Sequence, residues 1–98
     1  GRFRSDGEYS GERFRDEFLI PKLNDKNISK VIVSLIGTIG LGSSFKEELF
    51  GGAVRSGVDI SVLREKLEIE SKHPTDSVEI WKYIEEAQDE LVSSTKNV

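Results

Sequence analysis

Apolar residues along this chain follow two periods. Phe14, Phe18, Leu19 and Leu23 recur at helical spacing, which predicts a helix from Gly11 with one buried face. Ser10 stands where a side-chain oxygen can cap its first turn. Pro21 has no backbone donor, so the helix bends or begins to end there. A polar turn follows at residues 24–27.

Residues 30–36, KVIVSLI, are β-branched and apolar at alternating and intervening positions alike. That pattern predicts a central strand covered on both faces, as in parallel sheets. Residues 67–70, LEIE, alternate apolar and acidic, which predicts a strand with one wet face. Between the strands lie two helical stretches. The first starts at Ser44, where Ser44-Phe45-Lys46-Glu47 reads as a capping box. It buries Phe45, Leu49, Phe50, Ala53 and Val54, and Gly57 ends it in a left-handed conformation. Gly51 and Gly52 inside it lower helix propensity by about 1 kcal/mol each, a cost that close packing against a neighbouring backbone offsets. The second runs over residues 60–66, capped by Asp59.

Asp76 and Glu79 then signal a further helix start. Val78, Trp81, Ile84, Ala87 and Leu91 repeat at helical spacing to about Val92. The predicted order is (β)-α-β-α-α-β-α, an α/β fold with a parallel or mixed sheet of two to four strands and helices packed on it. Residues 1–9 read as a loop or short strand and residues 93–98 as a frayed polar tail.

Length adds that one domain, residues 1–98, accounts for the whole chain. Hydrophobic residues make up 36% and charged residues 33%, which suits a small domain with much surface. The net charge of −4 argues against nucleic acid, whose binders need a basic face. Arg2, Arg4, Arg13 and Arg15 are interleaved with Asp6, Glu8, Glu12, Asp16 and Glu17, so their field nearly cancels. No apolar run is long enough to span a bilayer. Cysteine is absent, which excludes disulfides and thiolate chemistry and fits the cytoplasm.

Candidate chemistry is sparse. His73 is the sole histidine and has no convergent partners in sequence, so it reads as a solvated loop residue, and no metal site or cofactor is expected. Glu85, Glu86, Asp89 and Glu90 read as a solvated helix face, and Trp81 as core. Gly37, Gly40 and Gly42 form a glycine-rich turn between strand and helix. Its spacing matches neither a P-loop nor a dinucleotide fingerprint.

Three motifs carry a family resemblance. Residues 31–54, VIVSLIGTIGLGSSFKEELFGGAV, resemble the core motif of the STAS-like domain family of unknown function: a hydrophobic strand, Gly-Thr, Gly-x-Gly-Ser/Thr-Ser-Phe, an acidic pair and Phe-Gly-Gly. Residues 6–15, DGEYSGERFR, are similar to that family's Asp-Gly-x-x-Ser-Gly-x-x-Phe-Arg stretch. Residues 80–87 are similar to its closing Tyr-Ile-x-x-Ala helix. Family members often carry acidic residues where this strand has Ser34 and Ile36.

The resemblance extends to anti-sigma-factor-antagonist domains, which carry a phosphorylatable serine after the strand and bind a histidine-kinase-like ATPase. By position Ser43 corresponds to that serine, with Ser44 beside it. The Asp that usually precedes it is Gly42 here, and the usual Gly two residues later is Phe45. The resemblance therefore implies a non-enzymatic, cytoplasmic signalling module. Its implied phosphorylation sites are Ser43 and Ser44, with Ser43 the freer of the two because Ser44 caps the helix. Its implied partner surface is Thr38, Leu41, Ser43, Ser44, Lys46 and Glu47. Two other readings stand beside it: a nucleotide- or anion-binding component or small enzyme using the turn at residues 37–42, and a structural homodimer closing a sheet edge.

Overall fold

The structure, a computed structural model, describes residues 10–37 and 41–96. The segment at residues 1–9, Thr38 and Gly40 lie outside the described residues. The order from Ser10 onward is the one expected: α1 (residues 11–23), β1 (Val31–Ser34), α2 (residues 43–55), α3 (Ile60–Lys66), β2 (Leu67–Glu70) and α4 (Pro74–Lys96).

Helix α1 starts at Gly11, and the Ser10 hydroxyl accepts from the Arg13 amide at 3.1 Å. Its middle, Arg15–Leu19, is a π-helical turn in which the Ile20 amide donates to the Arg15 carbonyl five residues back. The widened turn lies immediately ahead of Pro21, which has no N–H to continue the ladder. The helix runs through the proline and ends at Leu23.

Helix α2 is built the same way, with a π-helical turn at Glu47–Gly51 between Ser43–Lys46 and Gly52–Arg55. Its end is a Schellman motif. Gly57 has φ +108°, the Gly57 amide donates to Val54, and the Val58 amide donates to Ala53. Val58 and Ala53 both belong to the buried core.

Strands β1 and β2 pair in parallel, with Val31 opposite Leu67 and Ser34 opposite Glu70. Val31 and Leu67 are buried, and Val33 and Ile69 pack on the core margin. The opposite face is open. Ile32 is 58% exposed, and the Ser34 hydroxyl donates to Glu70 at 2.8 Å. The strand at residues 30–36 is therefore covered on one face, not two. The register explains why: Ile32 stands opposite Glu68, and an acidic neighbour on the same face keeps that face wet.

The core lies between the sheet and the helices, with α2 packed against both α1 and α4. Phe50, Ala53, Leu63, Ile80 and Ile84 are fully buried. On α4 the buried stripe is Ile80, Ile84 and Ala87, at spacings of four and three. Val78 is 71% exposed, and Leu91 is 41% exposed. Trp81 is half-buried at the core margin. The expected face is thus rotated, because Val78 lies nearly opposite Ile80 on the helical wheel. The helix begins at Pro74, a favoured first position. It continues helically to Lys96, past the expected end at Val92.

Candidate functional site

Helix α2 begins one residue earlier than its sequence suggests. Gly42, in extended backbone at φ −75° and ψ 163°, occupies the cap position and offers no side chain. Ser43 is the first helical residue and Ser44 the second. The capping box of Ser44 and Glu47 is therefore absent. Glu47 is instead drawn to the next two turns, where its carboxylate takes a bidentate pair from Arg55 at 2.6 and 2.9 Å. An Arg fork on a carboxylate is stronger than a neutral cap bond, so the pairing is physically favoured.

The two serines have different surroundings, and both are exposed. The Ser43 hydroxyl donates to Glu79 Oε2 on α4 at 3.2 Å. No hydrogen bond ties the Ser44 hydroxyl to another side chain among the described residues. Neither serine caps the helix, and the serine tied to the rest of the fold is Ser43, through Glu79, not Ser44. Gly42 could not have revealed this, since glycine is itself an acceptable cap.

Glu79 gathers three donors. Lys46 Nζ lies 2.6 Å from Oε1, and the Tyr83 hydroxyl donates to Oε2 at 2.6 Å. Asp76 adds a longer contact to Lys46 at 3.9 Å. Hydrogen bonds from Lys46 and Tyr83 hold the Glu79 carboxyl below the usual glutamate range. The same carboxylate raises the Tyr83 phenol above its usual value. Lys46 is buried apart from this contact, so it fixes the first turn of α2 more than it presents a charge. Sequence spacing gave no warning of the pair, because 33 residues separate its members.

A shallow depression beside this cluster is lined by Ser43, Ser44, Glu47, Arg55, Tyr83 and Glu90. Its cation, Arg55, is already held by Glu47 and lies 3.5 Å from Glu48. Glu47 and Glu90 give the depression an acidic balance, which does not favour an anion or nucleotide phosphate. Leu41 is half-buried just ahead of the helix, so Leu41, Ser43 and Ser44 lead into one surface. Among the described residues no group of three or more His, Cys, Asp or Glu side chains could hold a metal ion.

Behind the surface, Arg15 of α1 and Glu48 of α2 pair at 2.6 Å. Gly52 makes room for the guanidinium: a Cβ there would lie 2.5 Å from Arg15 Nη1. A Cβ at Gly51 would lie 2.7 Å from Glu47 Oε2. The close approach that favours these glycines is therefore to charged side chains, not to a neighbouring backbone. Gly11 is the glycine against backbone, 2.7 Å from the Phe45 carbonyl in the same sense.

His73 is exposed, and its carbonyl accepts from Ser71 Oγ and from the Asp76 amide at the start of α4. Among the described residues no helix is long and apolar enough to cross a membrane. No curated protein and no solved structure matches the chain significantly. A family model described as a STAS-like domain of unknown function (DUF4325) matches residues 10–77. That span takes in α1, β1, the glycine turn, both following helices, β2 and the start of α4, and the chain belongs to this STAS-like family.

Proposed function

We propose that this chain is a non-enzymatic regulatory protein-interaction domain whose contact surface is the strand-to-helix turn and the first turn of α2. The surface comprises Thr38, Leu41, Ser43, Ser44, Lys46 and Glu47, with Lys46 acting from beneath. Its partner is a histidine-kinase-like ATPase of the cytoplasm, and phosphorylation of a turn serine switches the contact. One observation carries the reading: in a STAS-like chain, two exposed serines open the helix that follows the central glycine turn. A phosphate there meets free first-turn amides and the positive end of the helix dipole, so the helix can accept it. It adds roughly two negative charges to the docking face.

Affinity capture from the source cell tests the proposal, followed by incubation of the captured protein with ATP and intact mass measurement of this chain. The expected result is an identified ATPase that adds about 80 Da to the chain. Ser43→Ala with Ser44→Ala abolishes the addition, and aspartate at both positions abolishes capture. Recovery of no ATPase, or an adduct that survives the double alanine change, overturns the reading.

The outer sheet face favours one second reading, a homodimer. Ile32 and Ile36 are exposed on or beside β1, and burying them against a second copy removes apolar surface from water. A monomeric mass in light scattering at high protein concentration rules it out.

A further inference from the structure

We propose that Ser43 is the trigger of a latch between α2 and α4: phosphate on Ser43 takes Lys46 from Glu79 and frees the start of α2 from α4. The proposal rests on the reading above only in that a serine of this turn is phosphorylated. In that step the Ser43 Oγ forms a bond to the γ-phosphorus of a nucleoside triphosphate. The bond to the bridging oxygen breaks, the diphosphate leaves, and the hydroxyl proton passes to a base of the transferring enzyme.

The latch is one carboxylate shared by three donors. Ser43 Oγ and the Tyr83 hydroxyl both donate to Glu79 Oε2, while Lys46 holds Oε1. Phosphorylation removes the Ser43 donor and attaches a phosphate anion to an oxygen that lies 3.2 Å from Glu79 Oε2. Asp76, 3.9 Å from Lys46, adds a further negative charge. Lys46 cannot neutralise phosphate, Glu79 and Asp76 together. The phosphate has the stronger claim, since Lys46 lies three residues along the same helix and the first-turn amides also point at it. Glu79 and Asp76 both belong to α4, so repulsion acts on that helix as a unit. Ser44 lacks the bond to Glu79, and a phosphate there leaves the latch closed.

The test installs phosphoserine biosynthetically at position 43 or 44 of the full chain. The Glu79 carboxyl is titrated by carbon-13 NMR, its signal assigned with Glu79→Gln. Phosphate at 43 is expected to make Glu79 about tenfold weaker as an acid, because its cation is lost. Phosphate at 44 leaves Glu79 unchanged. Phosphorus-31 titration then shows the phosphate at 43 ionising at lower pH than that at 44, a difference that Lys46→Met abolishes. Unchanged Glu79 acidity with phosphate at 43, or equal changes from both positions, overturns the latch. So does global unfolding of the chain phosphorylated at 43, since the latch calls for local release. No partner enters these measurements. A failed ATPase capture leaves the latch standing, and a failed latch leaves the contact surface standing.

Discussion

Arg15 Nη1 and Glu48 Oε1 lie 2.6 Å apart, and each residue sits in the π-helical turn of its own helix. Both side chains are largely buried. Burial works against the Arg15 charge, but hydrogen bonds to Asp16 and Glu48 more than offset it and hold the guanidinium above its usual pKa. The pair ties α1 to α2 directly behind the candidate contact surface. Removing either partner leaves a largely buried charge with weaker company. Glu48→Leu alone or Arg15→Met alone is expected to cost about 2–4 kcal/mol. The double change costs less than the sum, and urea unfolding of the four proteins measures the coupling.

Gly52 is the steric counterpart of that pair. An added Cβ would crowd Arg15 Nη1 at 2.5 Å and Arg15 Cδ at 3.2 Å. Gly52→Ala should therefore lower stability in the wild-type chain, although alanine favours helix by about 1 kcal/mol. With Arg15→Ala already in place the clash is gone, and the same change should raise the urea midpoint. No change of sign between the two backgrounds would mean that the guanidinium does not dictate glycine here.

The rotated face of α4 gives a simple contrast. Ile84 is fully buried and Val78 is 71% exposed. Ile84→Ala is expected to cost about 2–5 kcal/mol through lost burial and a cavity. Val78→Ala should stay within about 0.5 kcal/mol. Ile84 belongs to both the expected and the observed stripe and serves as the buried reference, so thermal melts of the two variants show whether Val78 faces the core.

Local patterns were legible where local physics sets them. Ser10, Asp59 and Gly57 each act within a few residues of their own position, and each does what its sequence context predicts. Short-range periodicity placed both strands and every helix from Ser10 onward. Illegible were the features set by neighbours distant in sequence. The wet face of β1 follows from its register with Glu68. On α4, Val78 and Ile80 offer two apolar stripes, and only the packing of α2 selects one. At the candidate site, the serines were legible as a pair, but their division of labour was not. It depends on Glu79, which sequence presented merely as part of a helix start.

Ser44 tests that division. With Gly42 as the cap residue and Glu47 bound to Arg55, Ser44→Ala removes no cap bond. Its effect on stability should stay within about 0.5 kcal/mol. Ser10→Ala removes a real cap, and the expected cost is about 1 kcal/mol. A loss at Ser44 matching that at Ser10 would restore the capping box.

Glu79 and Tyr83 should shape the pH dependence of stability from opposite ends. Glu79 is lowered from the ordinary value of 4.5, by Lys46 first and Tyr83 second. Near and below that value the unfolded chain binds the proton more readily. The stabilisation by Glu79 is therefore complete above 4.5 and is lost as pH falls through the lower folded value. Tyr83 is raised from 10.0, chiefly by its hydrogen bond to Glu79. Its contribution is complete below 10.0 and is lost as pH rises through the higher folded value, because the unfolded phenol ionises first. Glu79→Gln should flatten both limbs, since Tyr83 loses the partner that raises it. Tyr83→Phe should flatten the alkaline limb and leave the larger, Lys46-driven part of the acid limb. Urea unfolding across the pH range, with Tyr9 changed to Phe in every chain so that Tyr83 is the sole phenol, separates these outcomes by comparison among the variants. An alkaline limb unchanged by Glu79→Gln would show that the two side chains do not share a proton balance.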